Sequence, residues 1–313
     1  MMNRKKTLEK AFQRGHLLSL KNKFYLDWVK KFIVDETKGD VGDIGDVTSD
    51  SVLSKNPVVK AKVYVRERGI VAGVEEVSYF YKNNGISVKV LKKDGSRVKK
   101  GDVVLRISGK LKDLLRIERS ALDLMQRMSG IASLADSLMG KVKGRIGIAP
   151  TRKTQWRYLD KKAVYVGGGL THRLALWESV LIKDNHLKAL RMLDVEDVVE
   201  SALRNAAKNK KANFIEIEVV NQKDAVRAAK VFKELKLKKP CLIMLDNINP
   251  LGIKKIIKEL KRLKLYDSVL IEASGGITPE KVVSFSKSGA DVVSLGYLTH
   301  SVKVLDIKQK IVS

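Results

Sequence analysis

Residues 214–246 read FIEIEVVNQKDAVRAAKVFKELKLKKPCLIMLD, and this stretch decides the fold class. Phe214–Val219 is a short run of Ile and Val interrupted by Glu216 and Glu218. Asp224–Leu235 then carries helical spacing, and Leu242–Leu245 is a second apolar run. Apolar runs alternating with helices mark parallel strands buried on both faces. Glu216 and Glu218 lie two residues apart, so both face one side of their strand.

The same rhythm extends outward from about Lys141. Further runs are Ile146–Ala149, Val164–Val166, Val180–Ile182, Val269–Ile271 and Val292–Leu295. Helical patterns at Val195–Asn209, Leu251–Leu263 and Pro279–Ser288 lie between the later ones. With the first two runs this makes seven strands, which predicts an incomplete α/β barrel. Upstream the texture differs. Val58–Val65, Ser87–Leu91 and Val103–Ser108 alternate apolar and charged residues, with a helix expected at Val74–Phe80. That pattern predicts a small α+β domain with an antiparallel sheet. A long helical stretch, Leu111–Met139, joins the two regions. The expected domains are 24–130 and 131–300, with a basic extension or frayed helix at 1–23 and a C-terminal segment at 301–313 that returns to the first domain.

Chemistry-bearing residues recur where the runs end. They are Thr151-Arg152-Lys153, Gly167-Gly168-Gly169, Lys183-Asp184-Asn185-His186, Glu218, Asp246-Asn247, Ser274-Gly275-Gly276 and Gly296. In α/β barrels the C-terminal ends of the strands build the active site, and glycines after the last two strands often bind phosphate through backbone N–H groups. Any strand must stop in a polar loop, but that does not explain cations and carboxylates converging on one rim. Glu218 and Asp246 offer oxygen ligands for a hard cation, with substrate phosphates completing the shell.

Composition narrows the classes. The chain has 313 residues and 62 Lys and Arg against 35 Asp and Glu, a net charge of +27. Such a balance calls for anionic partners. Hydrophobic residues make up 44%, enough for a sizeable core. The single cysteine, Cys241, fits a reducing compartment. No apolar run suits a signal peptide or a membrane span, so a cytoplasmic location is expected. The sequence contains no phosphate-loop, dinucleotide-fold or serine-elbow motif and no Cys/His cluster with zinc spacing.

Several motifs in order resemble one family. They are Glu118-Arg119-Ser120-Ala121-Leu122, Ser129-Gly130-Ile131-Ala132, Thr151-Arg152-Lys153-Thr154, Gly167-Gly168-Gly169 with His172-Arg173, LIKDNH at 181–186, Glu216 to Val219, Leu245-Asp246-Asn247, ASGGI at 273–277 and Thr299-His300-Ser301. Gly45 to Thr48 and RERGIVAG at 66–73 add to the match. Together they look like quinolinate phosphoribosyltransferase, and the resemblance runs from about residue 25 to 305. It implies an N-terminal α/β sandwich joined to an incomplete α/β barrel, in a homodimer with shared active sites or a higher oligomer. It implies magnesium-assisted transfer of phosphoribose from phosphoribosyl pyrophosphate (PRPP) to quinolinate with loss of carbon dioxide. By this matching Arg152, Lys153, His172, Arg173 and Lys183 line an anion site, and Arg119 reaches the quinolinate carboxylates from the partner subunit. Glu218 and Asp246 hold ribose hydroxyls or the metal, and Ser274, Gly275 and Gly296 cradle the 5′-phosphate. Lys153, Lys183, Glu218 and Asp246 are the expected catalytic set. Asp123, where the family usually has asparagine, and Gln155-Trp156-Arg157, where many members have a proline-containing turn, depart from the pattern.

The chemistry suits these residue types. A dicarboxylate meeting a phosphorylated sugar concentrates negative charge, and arginine forks match planar carboxylates. Carboxylates near the ribose stabilise an oxocarbenium-like transition state. Glu216 is expected as a structural ion-pair partner, His172 as a group orienting Arg173, and His186 and His300 as loop or helix-start hydrogen bonders. Two other readings compete. A related phosphoribosyltransferase would take another acceptor, such as nicotinate. A basic nucleic-acid-binding protein would account for the charge, yet no nucleic-acid motif is present and aromatics are only 6%; nonspecific binding at low salt is expected at most.

Overall fold

The computed structural model describes residues 2–312. Along the chain come α1 (Arg4–Phe12), α2 (Lys23–Val41), α3 (Val47–Val52), β1 (Val58–Val65), β2 (Gly69–Ile70), α4 (Val74–Asn83), β3 (Ser87–Val90), β4 (Arg97–Val98), β5 (Val103–Lys110) and α5 (Leu111–Val142). There follow β6 (Gly147–Pro150), α6 (Tyr158–Val166), β7 (Val180–Ile182), α7 (Asp184–Met192), α8 (Val198–Ala207), β8 (Ile215–Val219) and α9 (Gln222–Leu235). The last elements are β9 (Cys241–Asp246), α10 (Pro250–Arg262), β10 (Leu270–Ser274), α11 (Val282–Phe285), β11 (Val292–Leu295), α12 (Tyr297–His300) and β12 (Ile307–Val312). Two compact units result. One holds the chain up to Arg14, Ser137–Arg157 and Gly169–His300; the other holds Gly15–Asp136, Tyr158–Gly168 and the chain from Ser301 onward.

The first unit is built on a parallel sheet in the order β6-β11-β10-β9-β8-β7. Its strands are short and almost wholly buried, as in β9, where Leu242, Ile243 and Leu245 have no exposure. The sheet has six strands, and β6 and β7 do not pair, so the barrel is incomplete. The expected strand at Val164–Val166 is instead the end of α6. Every residue from Tyr158 to Val164 is buried there, and three residues of Val-Tyr-Val could not reveal which period applied. The triple glycine therefore closes a helix rather than a strand. Gly167 sits where a Cβ would lie 2.3 Å from the Ala132 carbonyl oxygen. Leu170, just beyond, takes a place beside β6 by donating its N–H to the Ile148 carbonyl at 2.7 Å.

The N-terminus is no loose extension. Asn3 caps α1 by accepting from the Lys6 N–H, and Leu8, Ala11 and Phe12 are buried one turn apart. They join Ala149, Leu170, Phe214, Leu242, Leu270 and Val292 in one apolar cluster of the barrel core. Arg4 lies 3.7 Å over the Tyr266 ring and binds Asp291 through two nitrogens. The basic composition of this segment hid a helix whose apolar stripe is only three residues wide.

The second unit carries an antiparallel sheet in the order β12-β1-β5-β3. Tyr81 on α4 and the Leu114 carbonyl on α5 both bind Gln309, so the two helices cover the same face. Chain order β1-α4-β3-β5-α5-β12 with this strand order is a split βαβ layout. The last strand, β12, pairs with β1 from Lys60 opposite Val312 to Val65 opposite Ile307. The region from Lys38 to Asp50 holds the last turn of α2 and the start of α3, capped by Asp46. Two buried charge groups stabilise this unit: Arg127 binds Asp160 with a pair of 2.8 Å bonds, and Lys162 bridges Glu75 and Glu76.

Candidate active site

All six parallel strands of the first unit deliver residues to one cleft of about 690 Å³. Thr151, Arg152 and Lys153 follow the end of β6, Lys183 follows β7, and Glu218 is the penultimate residue of β8. Asp246 and Asn247 come from β9, Ser274 to Thr278 from β10, and Gly296 follows β11. His172 and Arg173 enter from the loop after Leu170. Arg152, Lys153, His172, Arg173, Lys183, Glu218, Asp246, Ser274, Gly275 and Gly296 are thus brought together. Arg119 is placed elsewhere, on α5 of the second unit, where its Nη1 meets Asp123 Oδ1 at 3.2 Å. The residue that departs from the family pattern is therefore the exposed partner of that arginine.

The cleft has a carboxylate side. Glu218, next to the end of β8, and Asp246, the end of β9, come from neighbouring strands, and Lys183 Nζ lies 3.9 Å from Glu218 Oε2. Burial raises both carboxyls above the ordinary range; Asp246 adds to the rise of Glu218, and Lys183 opposes it in each. A pair so arranged favours a cation between or beside them. Asn247, at φ +56°, donates from Nδ2 to Asp246 Oδ2 at 2.6 Å. Its backbone N–H binds the Ser274 carbonyl at 3.0 Å, which joins the ends of β9 and β10.

Glycine is required beside it. Gly275 has φ +93°, and a Cβ would lie 2.4 Å from Asn247 Oδ1 and 2.5 Å from Asn247 N. No L side chain fits that backbone or that space. At Gly296 a Cβ would meet Lys153 Cδ at 3.1 Å and the His300 ring at 3.0 Å. Thr299 holds the Lys153 segment by donating its hydroxyl to the Lys153 carbonyl at 2.7 Å.

The cationic side is held by a buried base. Burial, then the neighbouring Arg152, lower the pKa of Arg173, and its Nη1 donates to the Ser179 carbonyl at 3.1 Å. His172, at φ +52°, accepts the Arg173 N–H on Nδ1 at 2.7 Å. That leaves its ring proton on Nε2, which faces Glu272 Oε2 at 3.2 Å and Glu216 Oε2 at 3.5 Å. The ring stacks on Phe12 with centroids 4.0 Å apart. Ser294 donates its hydroxyl to Glu272. Glu216 is fully buried and neither oxygen has a hydrogen bond; burial, then Glu272, push its carboxyl well above the ordinary range. Glu216 thus faces a second acid, Glu272, as well as His172. His172, Glu216 and Glu272 have a spacing that suits a metal, but the histidine already directs a proton at the carboxylates. The other such group, Glu75, Glu76 and Asp94, surrounds the Lys162 ammonium.

Sequence reasoning passed over Glu272, Ser294, Tyr297 and Phe12. An acid inside the apolar run LIEAS was the available signal for Glu272. His300 lines the cleft. His186 closes a capping box on α7, its Nδ1 accepting from the Lys183 N–H at 2.8 Å.

Residues 46–129 and 131–310 match the N-terminal and C-terminal domains of Quinolinate phosphoribosyl transferase. The chain belongs to this family. It is 36% identical over 281 residues to a probable nicotinate-nucleotide pyrophosphorylase [carboxylating] of Methanothermobacter thermautotrophicus, covering 88% of this chain and 95% of that one. The corresponding protein of Archaeoglobus fulgidus is 36% identical, covering 85% of this chain and 98% of its own. A crystal structure of nicotinate-nucleotide pyrophosphorylase from Ehrlichia chaffeensis superposes with a TM-score of 0.76 at 30% identity, covering 90% of this chain and 98% of that one. Family membership and fold thus agree with the motif order. No helix among the described residues is long and apolar enough to cross a membrane.

Proposed function

We propose that this enzyme transfers phosphoribose from PRPP to quinolinate and releases carbon dioxide, pyrophosphate and nicotinate mononucleotide. The observation that carries the reading is the convergence of Arg152, Lys153, Arg173 and Lys183 on one cleft that also holds Glu218 and Asp246. The pyridine nitrogen attacks C1′ as the bond to pyrophosphate breaks. Glu218 and Asp246 stabilise the positive charge that develops on the ribose. Lys153 and Lys183 hold pyrophosphate oxygens, while the Arg152 and Arg173 forks hold the acceptor carboxylates and His172 positions the Arg173 backbone. Ser274, Gly275 and Gly296 receive the 5′-phosphate on backbone N–H groups. Once ribosylated, the ring nitrogen is positive; it stabilises the electron pair left on the adjacent ring carbon when that carbon's carboxylate departs as carbon dioxide, and a proton is then taken up at that carbon.

Glu218 and Asp246 are the residues that would hold Mg²⁺, since both line the cleft from adjacent strands and offer carboxylate oxygens to a hard cation. The ion would neutralise the pyrophosphate leaving group. The proposed oligomer is a homodimer in which Arg119 serves the partner's cleft.

The deciding experiment supplies Mg²⁺, PRPP and either quinolinate or nicotinate and follows carbon dioxide and nicotinate mononucleotide. Turnover with quinolinate supports the reading; turnover with nicotinate alone transfers the protein to the second acceptor class. Arg119→Ala and Lys153→Ala homodimers should both be inactive. Their mixed dimers should regain activity, because one of two clefts is then intact; inactive mixed dimers would count against a shared site.

A further inference from the structure

The net charge of +27 far exceeds what the cleft uses. One part of the remainder is organised. On the sheet of the second unit, Lys62 stands opposite Lys310 on one side and Arg106 on the other, and Arg106 stands opposite Lys89. Four cations thus form one row across four strands, on the face away from α4 and α5. Directly opposed like charges destabilise a sheet. Lys60 and Lys308 extend the row along β1 and β12. No described carboxylate pairs with any of these six residues, and no outward position of the four strands is acidic. The outward face is open as a groove of about 620 Å³.

The same face offers more than charge. Tyr64 lies two residues beyond Lys62 on β1, with the Lys62 Nζ 5.4 Å from its ring centroid. Ser87 and Ser108 stand opposite each other as hydroxyl donors. Strand spacing makes the row about 14 Å long.

We infer that this sheet face is a second binding surface, and that its ligand is single-stranded nucleic acid held in a sequence-independent way. A flat cationic row favours a flexible chain of phosphates, and an aromatic ring within the row stacks on a base of any identity. The split βαβ layout, with both helices behind and the two central strands in front, is shared with the RNA-recognition sheet, though that likeness concerns layout alone. Those modules stack two or three bases; here Tyr64 stacks one, so phosphate contacts dominate. An anionic membrane fits less well, because the row has no apolar wedge to insert. The inference is independent of the reaction proposed for the cleft.

The test uses the full chain and a fluorescein-labelled 20-nucleotide poly(U) RNA, with affinity read by anisotropy between 50 and 200 mM KCl. Four phosphate contacts give a slope of log affinity on log salt of about −3, a loss of roughly 50-fold over this range. Lys62→Ala/Arg106→Ala removes half the row and should bring the slope to about −1.4. Lys89→Ala/Lys310→Ala, on the outer strands, should do the same and guards against a fold defect in the first pair. Tyr64→Ala should weaken binding about tenfold with the slope unchanged. Lys254→Ala/Lys258→Ala on α10 makes an equal charge change away from the sheet and should leave binding unaltered. Equal losses in the α10 and sheet variants would overturn the inference in favour of diffuse charge. So would tighter binding to phosphatidylserine vesicles than to RNA. Turnover in the sheet variants should match the unmodified protein whatever the acceptor proves to be.

Discussion

Replacing Phe12 with alanine tests the N-terminal helix as part of the catalytic unit. Phe12 has no exposure, stacks on His172 at 4.0 Å and meets the Phe214 ring at 5.1 Å. Its neighbours, Ala149, Leu242 and Leu270, lie on rigid parallel strands, so the cavity cannot collapse. Truncating a buried phenylalanine costs about 3–5 kcal/mol. At ~2–4 °C per kcal/mol for a domain of this size, the melting temperature should fall by roughly 6–20 °C. His172 also loses the ring that fixes its plane, so the acceptor KM should rise more than kcat falls. Thermal melts followed by circular dichroism and initial-rate kinetics at varied quinolinate read the two effects. Phe12→Leu should keep about half the stability and most of the KM. A melting shift below about 1 °C for Phe12→Ala would refute the claim that α1 belongs to the core.

Other predictions concern the cleft itself. Glu218→Gln and Asp246→Asn should each lower kcat by roughly 10²-fold with little change in melting temperature, as expected for groups acting on transition-state charge. Gly275→Ala should destabilise by about 1–3 kcal/mol and raise the PRPP KM, since both its backbone angle and Asn247 forbid the methyl group. Because the folded Glu216 carboxyl sits above its unfolded value, its contribution to stability is complete below the unfolded value and is lost as pH rises through the folded one. The melting temperature should therefore fall with rising pH over that window, and Glu216→Gln should flatten the dependence; an unchanged profile would show that Glu216 does not titrate there.

Much of this was legible from residues alone, and the omissions share a cause. The runs at Val180–Ile182 and Val292–Leu295 became strands with the same bounds, because continuous β-branched residues between helices leave little choice. Glu218 and Asp246 were readable because they interrupt an apolar run at its end. Val164–Val166 failed because three residues cannot distinguish a period of two from one of 3.6. Phe12 and Glu272 were missed because their meaning lies in residues far away in sequence: Phe12 acquires its role from His172, and Glu272 from Glu216. The cation row was equally hidden. Each lysine alternates within its own strand as any half-buried strand requires, and only the register across four strands places them side by side.

The interleaving of the two units bears on how a ribosome delivers this protein. β1 closes its sheet with β12, and Val65 pairs with Ile307. At ~5–20 residues per second, roughly 12–50 seconds separate the synthesis of these partners. During that interval β1 waits with one edge bare, an invitation to pair with another nascent chain. Lys60 and Lys62 sit on that strand, and lysine on a bare edge is a recognised deterrent to such pairing. Phe12 waits as well, since Leu270 and Val292 of its cluster emerge last. Neither unit can be completed as a separate early product: the first core waits for Val292 of β11, and the second sheet waits for Ile307 of β12.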